Sequence, residues 1–61
     1  MPLSAKDLGH IRDQIKEAKK AIKDARADLA TAKRAGIDVS EQEAILRDLE
    51  ARVRKMEIVY G

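Results

Sequence analysis

Apolar side chains recur along the first half of the chain at Leu8, Ile11, Ile15, Ala18, Ile22, Ala25, Leu29 and Ala32, separated alternately by three and four residues. This is the spacing of a heptad seam, in which the first (a) and fourth (d) places of each seven form one stripe of an α-helix. The a places hold only Leu or Ile, and the d places, after Ile11, hold only Ala. A second seam follows, with Val39, Leu46, Val53 and Tyr60 at a and Gln42, Leu49 and Met56 at d. Between the seams lies Lys33-Arg34-Ala35-Gly36-Ile37-Asp38-Val39, where two cations suit the carbonyl end of a helix and Gly36 suits the left-handed residue that stops it. Two serines mark starts, since Ser4 with Asp7 and Ser40 with Glu43 have the spacing of capping boxes. Leu3 with Leu8, and Val39 with Ala44, have the spacing of hydrophobic staples around those caps. The pattern predicts an all-α chain with one helix over about 5–35, a loop over about 36–39 and a second helix over about 41–60. A loop this short makes the helices antiparallel neighbours, so the expected fold is one two-helix coiled-coil hairpin over residues 1–61, with the first helix longer.

The fifth (e) place of each heptad is charged, and its sign differs between the helices. It holds Arg12, Lys19, Arg26 and Lys33 in the first helix and Glu43, Glu50 and Glu57 in the second. In an antiparallel pair e faces e, so one alignment should join Lys33 to Glu43, Arg26 to Glu50 and Lys19 to Glu57. The same alignment predicts layers of Ala32 with Leu46, Leu29 with Leu49, Ala25 with Val53, Ile22 with Met56 and Ala18 with Tyr60, in which small residues mostly meet large ones. Exposed ion pairs contribute only about 0.2–1 kcal/mol each, so charge should set the register while the layers supply most of the stability. Three acid-then-base pairs within the second helix, Glu43 with Arg47, Asp48 with Arg52 and Glu50 with Arg54, are spaced to add local support. On the opposite side, Ile45, Val59, Ala21 and Ala35 at the seventh (g) places widen the apolar face, with Asp28 and Arg52 expected to pair among them. Gly9 weakens the first turns by about 1 kcal/mol relative to Ala.

Composition narrows the function. In 61 residues, 44% hydrophobic and 39% charged, there is no Cys, Phe or Trp and a single Tyr. Disulfides and thiolate metal sites are excluded, and a lone hairpin has few large side chains to bury, so a partner surface is expected. Catalysis needs groups converging in a concavity, which a hairpin scarcely offers, and no phosphate loop, nucleophile elbow or zinc-helix motif occurs. No catalytic residue, cofactor-binding residue, metal ligand or small-molecule substrate is therefore assigned. His10, one turn from Asp7 and Asp13, reads as part of a solvated face. A net charge of +2 is far from the excess that marks a nucleic-acid binder. Lys16, Lys20 and Lys23 nevertheless form a basic strip, the candidate contact if nucleic acid is bound, although Asp13, Glu17 and Asp24 interleave with it and no aromatic lies beside it. The longest run of large apolar residues is Ile58 to Tyr60, which spans no bilayer, and no signal-peptide pattern opens the chain. The expectation is a soluble protein, cytoplasmic or within a larger particle, with no membrane role.

The first helix should overhang the second by roughly 16 Å, at 1.5 Å per residue. Leu8, Ile11 and Ile15 would then extend the seam without a counterpart in the hairpin, Arg12 would extend the basic row with no glutamate opposite, and Ile58, Val59 and Tyr60 would lie at the same end. These seven residues form the expected partner-binding site. The reading is a non-catalytic interaction module, a structural or assembly subunit docking on a larger complex such as a phage-type particle, or one that self-associates into a homo-oligomer. A dimeric RNA-binding or regulatory hairpin using the lysine strip, and a small inhibitor of a protein target, are the alternatives.

The seam of Ala18, Ala25 and Ala32 alternating with Ile22 and Leu29 resembles the core of the Rop-like plasmid proteins. The resemblance is one of plan, a helical hairpin of nearly this length with alternating small and large core residues. It implies dimerisation into a four-helix bundle and binding of RNA hairpins, and it assigns no individual residue a role.

Overall fold

A computed structural model describes residues 2–61. Helix α1 covers Ala5–Arg34 and helix α2 covers Ser40–Tyr60, and the described residues contain no strand. The two helices pack side by side as an antiparallel hairpin measuring 49 × 15 × 14 Å.

Each helix end has a local cause. The Asp7 N–H donates to Ser4 Oγ at 3.1 Å and the Ser4 N–H donates to the Asp7 carboxylate at 3.3 Å, closing the capping box that starts α1. Leu3 stays exposed, so polar capping rather than apolar closure fixes this end. At the other end Gly36 takes φ 85°, the Gly36 N–H donates to the Lys33 carbonyl at 3.0 Å, and the Ile37 N–H donates to the Ala32 carbonyl at 3.1 Å. These are the two bonds of a Schellman stop, which needs a left-handed residue and hence favours glycine.

The start of α2 departs from the sequence expectation. Ser40 is no cap: it is the first helical residue, and Asp38 holds it. The Asp38 carboxylate accepts the Ser40 N–H at 3.0 Å and the Ser40 hydroxyl at 2.8 Å. An aspartate placed two residues before an N–H closes an Asx turn, and a charged acceptor outcompetes a neutral one for the serine proton. Both bonds hold the Asp38 carboxyl below its ordinary pKa of 3.8, the backbone bond contributing most. The Glu43 N–H instead meets the Val39 carbonyl at 2.8 Å.

The core is small: Ile15 from α1, Val39 at the loop, and Leu46 and Val53 from α2 are the buried residues. On α1, half-buried Ala18, Ile22, Ala25, Leu29 and Ala32 complete the a/d stripe as expected. On α2 the half-buried positions are Glu43, Glu50, Glu57 and Tyr60, so this helix presents its a and e rows to α1 and turns its d row outward. Leu49, 43% exposed, and Met56, 39% exposed, are less covered than the a residues Leu46 and Val53, so the expected Leu29–Leu49 and Ile22–Met56 layers lie at the margin of the seam and not at its centre. The ion pairs explain the rotation: bringing the glutamate row within reach of the basic row on α1 rolls α2 until its a residues lie at the centre.

Ile15 also departs from the sequence expectation. Expected to lack a counterpart, it is only 5% exposed, and it shares a groove with Lys19, Glu57 and Gly61, so the hairpin itself covers it.

Candidate interaction surface

The two long edges of the hairpin have opposite chemistry. Along the e edge, Lys19 Nζ lies 2.6 Å from the Glu57 carboxylate, the Arg26 guanidinium is hydrogen-bonded to Glu50, and Lys33 Nζ lies 3.9 Å from Glu43. All three sequence-derived pairs thus form, and the numbers descend α1 as they ascend α2 in equal steps of one heptad. Arg12 extends the row by another means: its Nε donates to the Tyr60 carbonyl at 2.8 Å. The last turn of α2 contains no basic residue of its own, so this guanidinium supplies the cation that suits its carbonyl end.

The g edge is open and apolar. A groove between the helices is lined by Ala25, Asp28, Leu29, Gln42, Ile45 and Leu46, which places the g rows of α1 and α2 on one side of the hairpin. From Ile45 (55% exposed) on its rim, the row continues along α2 through Leu49, Met56 and Val59 (70%), broken only by Arg52. On α1 and its C-terminal cap Ala35 the matching stripe is made mostly of small residues, with Ala21 and Ala35 exposed and Ala18, Ala25 and Ala32 half-buried, broken by Asp28. Among the described residues the ion pairs are the three of the e edge. The expected Asp28–Arg52 pair is therefore not formed, nor are the pairs expected within α2, whose arginines extend into solvent.

The seven residues expected to bind a partner differ in exposure and in bonding. Leu8 and Ile11 are half-buried on α1, Ile15 is in the core, and Arg12 and Tyr60 are joined to each other. Ile58 and Val59 remain well exposed, Ile58 at 80% on the outer face of α2 and Val59 on the g edge. Leu49 and Met56 were missed as surface residues. Their signal was present in the spacing of Ile45, Leu49, Arg52, Met56 and Val59, alternately four and three apart, which is a second seam beside the one formed by Leu46 and Val53. Lys16, Lys20 and Lys23 are all exposed, Lys16 and Lys23 at the rims of e-edge grooves. His10 lines an open depression with Lys6, Asp7, Gly9 and Asp13, and the described residues contain no cluster of three or more side chains able to hold a metal ion. No helix among them is long and apolar enough to cross a membrane.

Fold and surface together define a two-helix antiparallel hairpin with one charge-closed edge and one apolar edge. No protein-family model, curated protein or solved structure matches the chain.

Proposed function

We propose that this chain is a non-catalytic association module, a structural or assembly component whose working surface is the apolar g edge. The observation that carries this reading is the stripe of Ile45, Leu49, Met56 and Val59, large apolar residues at helix-packing spacing that the hairpin covers only in part. Scattered exposed apolar residues are ordinary on proteins, but an aligned row along one face is how a helix presents itself to another helix. The crevices among the helices are open grooves, and in those of the e edge Lys19, Arg26, Glu50 and Glu57 are engaged with one another as ion pairs, which supports a docking surface over a catalytic site.

The test is the solution mass of the purified chain alone and mixed with its binding partners, before and after Leu49→Glu with Met56→Glu. Both positions are exposed in the hairpin, so the variant keeps its helical circular dichroism and loses association. An unchanged assembly, or a wild-type chain monomeric in every mixture, would overturn the g edge as the working surface. Salt-sensitive retention on RNA that is lost when Lys16, Lys20 and Lys23 become Ala would favour the nucleic-acid reading instead.

A further inference from the structure

We infer that the g edge is covered by a second copy of this chain, related by a two-fold axis parallel to the helices, so that α1 of one copy lies against α2 of the other and both loops are at the same end. The inference rests on the reading of the g edge as an association surface and specifies its occupant. The argument is self-complementarity. The face contains a shallow stripe and a tall one, Ala21, Ala25 and Ala32 on α1 and Ile45, Leu49 and Met56 on α2. A two-fold axis along the bundle lays each stripe on its complement, small against large, which lets helices approach without voids or overpacking. An axis perpendicular to the helices does the reverse: it sets α2 on α2 and α1 on α1, large against large and small against small.

The charges select the same solution. Asp28 and Arg52 interrupt the two stripes and are unpaired in the hairpin. From the Arg26–Glu50 ion pair, Asp28 lies two residues toward the loop and Arg52 two residues away from it. Their levels differ by about 6 Å at 1.5 Å per residue. Side chains lean toward the N-terminus of their own helix, which in an antiparallel arrangement inclines these two toward each other. An axis along the bundle preserves level, so Asp28 of each copy meets Arg52 of the other, twice per dimer. A foreign partner would need no such internal match between the two halves of one face.

The experiment uses the full chain and two single variants, Asp28→Arg and Arg52→Asp, measured by sedimentation equilibrium separately and as an equimolar mixture. The unaltered chain is expected to be a dimer. Each variant alone puts like charges at both contacts and should dimerise more weakly, by roughly tenfold for two reversed pairs. The mixture puts opposite charges at both contacts and should regain the wild-type affinity, which neither a pair within one hairpin nor contact with a different protein would produce. A spin label on Ile37→Cys, at the exposed loop, checks the orientation without touching the face. Loops at the same end bring the labels well inside the length of α2, and loops at opposite ends separate them by roughly 30 Å. A monomer at millimolar concentration overturns the dimer. A dimer that mixing does not rescue, or whose labels lie an α2 length apart, overturns this pairing while leaving the association reading of the g edge intact.

Discussion

The e edge and the g edge of this hairpin are built from the same two helices, yet one is satisfied within the chain and the other is not. On the e edge, long cationic side chains close on carboxylates around Ile22 and Val53, so the polar atoms there have partners. On the g edge, alanines on α1 provide no such cover, and the large residues Ile45, Leu49, Met56 and Val59 of α2 stay exposed in part. Charge pairing on one side thus exposes the other. Closing the ion pairs fixes the roll of α2, and that roll decides which of its apolar rows is buried.

The sharpest way to break this comparison is to truncate one residue from each row of α2. Leu46→Ala, in the buried row, should cost about 2–5 kcal/mol, enough to unfold a hairpin with so small a core, whereas Leu49→Ala in the outward row should cost the isolated hairpin less than about 1 kcal/mol. Thermal melts followed by circular dichroism at dilute concentration separate the two, and equal losses would mean that α2 is not rolled toward its a and e rows.

The e edge is tested by reversing Glu43, Glu50 and Glu57 together to Lys. Three attractions become three repulsions, and the melting temperature should fall by an amount equivalent to roughly 1–3 kcal/mol, with a larger loss in low salt than in high. An unchanged melt would mean that the e edge does not set the register.

The smallest effect lies at the loop, where both edges begin. The Asp38 carboxyl is held below its ordinary pKa of 3.8 by the two bonds from Ser40, so this cap stabilises the folded chain above that value and the contribution is lost as pH falls through the lower, folded value. Amide exchange at Ser40 should accelerate in that acid range in the native chain. In Asp38→Asn the same amide should show no such step, because the cap no longer titrates. A step that persisted in Asp38→Asn would assign the acid sensitivity to another carboxylate.

How much of this was legible beforehand follows from the range of each interaction. The two helices, the Schellman stop at Gly36 and the capping box at Ser4 depend on residues within a few places of one another, and the pattern alone located them. The loop entry to α2 differs from the sequence expectation for the same local reason, since Asp38 and Ser40 are both good caps and only the folded turn shows which carries the bonds. The register was legible at long range because charges of fixed sign recur every heptad on both helices, so that a single alignment satisfies them all. What the sequence could not rank was Leu46 against Leu49, or Val53 against Met56, because adjacent stripes of an apolar helix have equal periodicity. Their difference depends on the rotation of one helix about its own axis, which is a balance between reaching the opposite charges and filling the space above the alanines. That balance exists only when both helices are in place, and it is the tertiary structure that buries Ile15, Leu46 and Val53 and leaves Ile45, Leu49, Met56 and Val59 facing outward.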